Sequence, residues 1–415
     1  MPISRSPLRL PTYRRLWIGL LISRLGDQFT NIALMWFVLQ LTGSGLALGV
    51  VALCFNLPAV ITSALIGPLL DRFQPRLIMA VDNAVRALII GAVPILYWFG
   101  DLPIGVVYGL AFLAGITTPA TSVGLQVIMP RLVPDRELPA ANGLMSLSGQ
   151  IAMLAGPATA GLAVSLIGGP AVLFIDAATF LVMVGVLSTL PNLPEHHPSD
   201  QPEKRRHLGF GTLFRHREIR LLTLLSFVFF LAYWPTEPAL PLYSKFILKS
   251  GSAGYGLLIS MFGAGAVLGM LTIPWIGRLP RPGMAQSAVA VLWGGLLFPL
   301  SVLHSLVPAA IFLALAAFAW APYNTIELTL IQRLTPPRQR GEILGAQASL
   351  TTATGPLGLL LGGILLTHIS AAAVLGISAG ACIAVGAGGL LSPTLRSIQR
   401  VDNDIQEAGE GSGDK

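Results

Sequence analysis

RLVPDRELPAANG, residues 131–143, returns 202 residues later as RLTPPRQRGEILG, residues 333–345. The shift pairs Arg131 with Arg333, Leu132 with Leu334, Pro134 with Pro336, Arg136 with Arg338 and Gly143 with Gly345. Both stretches carry arginines and a helix-breaking proline, and both lie between long apolar runs. A match at one constant offset, in one orientation, divides the chain into two similar halves. What the halves are made of follows from composition.

Hydrophobic residues make up 53% of the chain and charged residues only 11%, and the mean hydropathy is +0.73. Soluble domains run nearer one half apolar and one quarter charged, and a soluble fold of 415 residues could not hide this much apolar surface. The chain belongs in lipid, where length is counted in spans of about 20 residues. The 45 glycines and 31 prolines suit membrane helices that pack closely and kink. Cys54 and Cys382 both sit in apolar runs, which gives neither a disulfide framework nor a metal-ligand spacing. The first apolar run carries Arg24 and Asp27 and does not read as a cleavable signal.

Breaks at charge clusters, glycine and proline place twelve helices, near 15–41, 45–69, 77–99, 103–129, 140–167 and 170–190, then near 219–245, 254–277, 284–303, 306–331, 342–367 and 371–391. The predicted organisation is an N-terminal six-helix bundle over 1–190, a polar linker over 191–218, a C-terminal six-helix bundle over 219–395 and a disordered tail over 396–415. Charge tests this layout. All but four of the 26 Lys and Arg fall on one side of the membrane; Lys245 and Lys249 lie on the other, and Arg24 and Arg86 within helices. Such asymmetry is the positive-inside rule, which puts both termini in the cytoplasm. It also explains a pI near 9.8 without nucleic acid.

GPLLDRFQPR, residues 67–76, resembles the loop between helices 2 and 3 of the major facilitator superfamily, whose pattern is Gly-x-Leu-x-Asp-Arg-x-Gly-Arg-Arg. Gly67, Leu69, Asp71, Arg72 and Arg76 fit, whereas Gln74 and Pro75 depart. The resemblance implies a cytoplasmic latch built on Gly67, Asp71, Arg72 and Arg76, in which the aspartate caps a neighbouring helix and pairs with basic residues. RLGDQFTNIALMWFVLQLTGSGLALGVV (24–51), DNAVRA (82–87) and LPAANGLMSLSGQIAMLAGPATAG (138–161) are similar to a branch of that superfamily holding macrolide-efflux and enterobactin exporters. The likeness covers about residues 12–395. AGPATAG, with Gly156, Pro157 and Gly161, resembles the Gly-Pro motif of superfamily antiporters. TGPLGLLLGG, with Gly355 and Pro356, is its counterpart in the second half. Glycine packing in any membrane bundle is the competing explanation of both.

Ionisable residues at membrane depth are costly and so are candidates for function. Asp27 lies a dozen residues into the first helix, roughly 18 Å deep at the α-helical rise. It reads either as a proton-coupling or cargo-binding carboxylate or as the partner of Arg24, one turn earlier. Glu237 stands among Pro235, Pro238 and Pro241, which forbid a regular helix there. It reads either as an outer gate with a proton-binding or cation-attracting carboxylate or as a glutamate satisfied by water near the outer interface. Glu327 near the inner end of helix 10 follows Trp320, Tyr323 and Asn324, and reads either as a cavity carboxylate or as a partner of Arg333 or another inner arginine. Asp82 and Arg86, four apart in helix 3, read as a structural pair, and Asp176 likewise as structural. Trp36, Trp234, Trp320 and Tyr323 are expected to give the cavity aromatic surface.

Enzyme signatures fail. GISAG, residues 376–380, matches G-x-S-x-G but lies inside the last helix with no strand before it. No Walker A, HExxH or EF-hand pattern occurs, and no cofactor is read. The expectation is a monomeric all-α membrane protein of twelve transmembrane helices in two parallel six-helix halves. It would work by alternating access, exchanging protons for amphipathic, macrolide-like compounds across the bacterial inner membrane. A siderophore or metabolite exporter is the alternative, ahead of a polytopic membrane enzyme or a sensor without flux.

Overall fold

Proline and glycine set the helix limits. In the computed structural model, which describes residues 7–100, 102–191, 210–276, 281–336 and 339–398, Pro11 opens α1 (Pro11–Thr42), where its missing N–H is harmless. Gly43 closes that helix at φ +63°, a left-handed cap whose N–H donates to the Leu39 carbonyl. Ser44 then caps α2 (Gly45–Arg72) by accepting the Ala47 N–H, and Pro75 opens α3 (Pro75–Phe99). The first half continues through α4 (Ile104–Leu132), α5 (Leu138–Ile167) and α6 (Gly169–Ser188). The second half comprises α7 (Arg217–Ile247), α8 (Gly251–Trp275), α9 (Pro282–Ser301), α10 (Leu306–Leu334), α11 (Arg340–Leu365) and α12 (Ala371–Leu391).

Among the described residues, 11 helical stretches are long and apolar enough to cross a membrane. α1 is not one of the 11, although it has 32 residues, because Arg24, Asp27, Gln28 and Asn31 interrupt its apolar run. Polar atoms at that depth need partners or water, so this helix has to face something other than lipid.

The repeat read from sequence is architectural. Leu132 and Leu334 end α4 and α10, and Leu138 and Arg340 open α5 and α11, each pair at the offset seen in the sequence. Packing repeats as well: α1 lies on α5 and α6 as α7 lies on α11 and α12, α2 on α4 as α8 on α10, and α3 on α6 as α9 on α12. The two halves meet chiefly through α2 against α11 and α5 against α8.

Three helices break near mid-length. α4 turns at Thr118, before Pro119, and α10 at Ala321–Pro322. α7 stops at Tyr233, turns through Trp234 and Pro235, resumes at Thr236–Leu242 and ends in a π-helical turn, Tyr243–Ile247. Pro235, Pro238 and Pro241 are the cause, since each removes a backbone donor.

The polar segment between the halves extends less far than its composition suggests. Its residues 192–209 lie outside the described part, but Phe210–Arg215 is a short helix with Leu213 fully buried. Leu213 packs with Ile219, Ile331 and Ile343 beneath α7, α10 and α11. The predicted tail also begins packed, because Leu395 and Ile398 lie against Gly283 at the start of α9; residues 399–415 lie outside the described part.

Candidate functional site

The halves touch where glycine permits it. A Cβ on Gly49 of α2 would stand 2.7 Å from the Cα of Gly363 on α11. One on Gly161 of α5 would stand 2.9 Å from the Cα of Gly256 on α8, and the reverse distance is the same. Farther along, Pro157 of α5 cannot donate to the Met153 carbonyl, and Gly263 of α8 fits against that carbonyl. The next residue, Ala158, donates its backbone N–H across the interface to Ser260 Oγ at 2.8 Å. The Gly49–Gly363 and Gly161–Gly256 contacts lie toward the face opposite the arginine-rich loops.

Between the halves lies a cavity of about 410 Å³. α1 contributes Gln28, Thr30 and Asn31; α2 contributes Phe55 and Asn56; α7 contributes Tyr233, Trp234 and Glu237. Tyr255, Ile259 and Phe262 of α8 and Trp293 of α9 complete an aromatic wall. Tyr233 stacks on Trp320 at 5.9 Å and tilts against Trp293 at 5.3 Å. The broken stretch of α7 aims Glu237 into this space, where no hydrogen-bond partner reaches its carboxylate among the described residues. No Lys, Arg or His lines the cavity among the described residues.

A second cavity of about 330 Å³ shares Trp234 with the first and holds Asn324, Glu327, Gln347, Thr351 and Thr352. Glu327 is buried and accepts from Gln347 Nε2 at 2.9 Å, so its partner is not Arg333. Trp234 is thus the partition between an apolar chamber and a polar one.

The charges of the first half pair differently from the sequence expectation. Arg86 Nη2 donates to Asp27 Oδ1 at 2.6 Å, an ion pair between α3 and α1 rather than within α3. Arg24 reaches α5 instead, donating to the Met145 carbonyl at 2.5 Å and Ser148 Oγ at 2.7 Å. Asp82 accepts from Thr121 Oγ1 of α4 at 2.5 Å. Asp176, fully buried on α6, accepts from Thr30 Oγ1 and Thr179 Oγ1. The i, i+4 spacing put Asp82 and Arg86 on one face, but Asp27 on the neighbouring helix offers Arg86 the shorter contact.

Of the aromatic residues singled out by sequence, Trp234 lines the cavity. Trp36 is buried in the core beside Tyr255, at 6.5 Å between rings. Tyr323 is buried against Phe229 and shares a 3.2 Å hydrogen bond with Ser226. Trp320 stands behind Tyr233 as support. The wall residues that sequence reasoning passed over, Gln28, Asn31 and Asn56, are neutral polar residues in apolar helices; Gln28 and Asn31 are three apart, the spacing of one helix face.

The Gly-Pro residues hold helices together. Gly156 fits Gln28 of α1, Gly161 meets Gly256, and Gly355 faces Trp234 at ordinary contact distance; Pro356 is buried within α11. At the loop after α2, the surroundings of Gly67 and the side chain of Asp71 lie outside the described part. Arg72 is exposed, and Arg76 donates to the Leu190 carbonyl, tying the start of α3 to the end of α6. That tie lies within one half, not across the two.

A model described as Major Facilitator Superfamily matches residues 16–359. An MFS-type transporter of Sinorhizobium fredii is 27% identical over 88% of this chain and 91% of its own length. The multidrug efflux pump Tap of Mycolicibacterium fortuitum is 25% identical over 86% and 89% of the two chains. Macrolide efflux protein A of Streptococcus pyogenes is 21% identical over 93% and 96%. Among solved structures, the nucleoside transporter NupG superposes with a TM-score of 0.73 at 15% identity, covering 94% of this chain and 100% of its own. A bacterial homologue of the iron transporter ferroportin, in an inward-facing state, superposes at 0.74 with 15% identity, covering 94% and 99%.

Proposed function

The chain belongs to the Major Facilitator Superfamily and is a multi-pass secondary transporter, and we propose that it exports amphipathic compounds, macrolide-like drugs among them, in exchange for protons. The observation that carries this reading is the cavity between the halves: largely apolar and aromatic, with the Glu237 carboxylate in its wall. Apolar walls with a few placed polar groups suit bulky greasy cargo. Glu237 is the group in that wall able to exchange a proton or to hold a cationic amine. The distant likeness to the Tap pumps and to macrolide efflux protein A supports the same cargo class.

The arginine-rich face is assigned to the cytoplasm of a bacterial inner membrane by the positive-inside rule. Close glycine contacts toward the other face then correspond to an inward-facing state. In the opposite state the Asp71 loop would latch the cytoplasmic side. An anionic cargo, as in siderophore export, is disfavoured because the cavity wall carries no basic side chain among the described residues and Arg24 is engaged with α5.

Accumulation of a panel of lipophilic drugs, a macrolide included, in cells that express the wild-type chain or Glu237→Gln tests the proposal. Lower accumulation with the wild type than with the variant is expected. Equal accumulation of every compound in wild-type and empty cells would refute the cargo assignment.

A further inference from the structure

The polar cluster of the first half plays no part in the cargo cavity as described, and it is short of positive charge. Asp27, Asp82 and Asp176 all interact with one arginine, Arg86. The other arginine nearby, Arg24, also feels the charge of Asp27, but its hydrogen bonds go to α5. If all three carboxylates ionise against these two arginines, one negative charge stays uncompensated where each buried ion costs several kcal/mol. Two atoms of the cluster, Asp82 Oδ1 and Arg86 Nε, have no partner while their residues are only 4% and 7% exposed. The cluster is therefore not a closed structural knot, and a proton is the smallest addition that relieves its excess of carboxylate charge.

Position decides where that proton acts. Asp27 holds Arg86, and its side chain is 36% exposed, so water reaches it. Asp176 is 0% exposed, and both its oxygens face hydroxyls: Thr30 Oγ1 on Oδ2 at 2.5 Å and Thr179 Oγ1 on Oδ1 at 2.9 Å. Thr30 also lines the cargo cavity. α1 presses on the same carboxylate, because a Cβ on Gly26 would collide with Asp176 Oδ1 and Thr179 Oγ1. From the packed helices, Asp27 of α1 and Arg86 of α3 act on Asp176; Arg24 and Asp82 lie beyond them, and α5 carries no ionisable side chain over Leu138–Ile167.

We propose that Asp176 is a proton-exchange site, outside the cavity, that communicates with cargo through the Thr30 hydroxyl. The inference rests on the proton-driven export proposed above. A proton entering past Asp27 adds to Asp176 Oδ2, and the new O–H donates to Thr30 Oγ1. A hydroxyl can accept as well as donate, so Thr30 reverses its role and turns its own hydrogen away from Asp176, changing the polar edge it gives the cavity it lines. Loss of the proton restores the first arrangement. The cavity thus presents a different polar edge in each protonation state, and cargo and proton affinities become linked reciprocally.

Infrared difference spectra of the reconstituted chain, between mildly alkaline and mildly acidic buffer, test the site. One carbonyl-stretch component of a protonated carboxyl is expected in the wild type and in Glu237→Gln, absent in Asp176→Asn and shifted in Thr30→Val. In the same vesicles, export driven by a pH gradient should fall about tenfold or more in Asp176→Asn, within the usual range of coupling between sites. Cargo counterflow without a gradient should decline far less. A band untouched by the Asp176 and Thr30 substitutions, with gradient-driven export intact, overturns the proposal and leaves proton-driven export standing. Wild-type export indifferent to the gradient overturns both. Should Asp176→Asn fail to assemble, Thr30→Val decides, because an unmoved band there overturns the assignment.

Discussion

Gly256→Ala tests whether the halves close as the glycine contacts indicate. The added Cβ would meet the Pro157 carbonyl and lie 2.9 Å from the Cα and 3.1 Å from the N of Gly161. These are backbone atoms, which cannot step aside as a flexible side chain would, so α5 and α8 must part. Overpacking of this kind costs about 1–3 kcal/mol. The cost falls only on the arrangement in which the two helices touch near Gly256. The equilibrium should therefore move toward the alternative state by roughly 5- to 150-fold, taking 1.4 kcal/mol as tenfold. Spin labels at Ser165 and Lys249, near the touching ends of α5 and α8 and in a background lacking Cys54 and Cys382, report the separation by double electron–electron resonance. The longer distance should gain population in the variant. An unchanged distance distribution, in protein of wild-type thermal stability, would refute the reasoning.

Arg86→Met removes the cation shared by Asp27, Asp82 and Asp176 and should cost about 3–5 kcal/mol, as breaking a buried pair does; the melting temperature in detergent should drop, and a wild-type value would deny the pair its structural role. Ser260→Ala strands the Ala158 N–H at the interface between halves. A loss of about 1 kcal/mol is expected, read as a smaller shift of the same spin-label distances toward the state that Gly256→Ala favours. Trp234→Ala joins the apolar chamber to the polar one and removes a cavity wall; cargo affinity, measured by binding in detergent, should weaken about tenfold or more, as for an aromatic hot spot, and undiminished binding would place the cargo elsewhere. Leu213→Ala, beneath α7 and α11, should lower thermal stability by about 2–5 kcal/mol, whereas an unaltered melt would show that the short helix Phe210–Arg215 is not held by its buried leucine.

How much of this was legible in the sequence depended on which force set each feature. Helix limits follow backbone chemistry, so Pro11, Pro75 and Gly43 mark them directly, and the prolines of α7 announce its break. The parallel halves were legible because a repeated loop keeps its offset whatever the helices do around it. Rotation of a helix about its axis was not legible. In a membrane bundle the lipid-facing and core-facing sides are both apolar, so nothing in the residues around Trp36 or Tyr323 says which side faces the cavity. The partner of Asp27 escaped for a related reason. Spacing along one helix brings Asp82 and Arg86 together, but the adjacency of α1 and α3 is a tertiary fact. Neutral wall residues such as Gln28 and Asn56 escaped because charge was the signal followed. The buried Leu213 lay in a stretch whose composition is that of a linker.

Flux into and out of sealed vesicles containing the purified chain is the most direct measurement. With an imposed proton gradient, a lipophilic amine or macrolide should move against its own concentration gradient; the movement should collapse when the gradient is dissipated and should be lost in Glu237→Gln. Transport of such compounds that proceeds equally with and without the proton gradient, or none at all from correctly folded protein, would contradict the account.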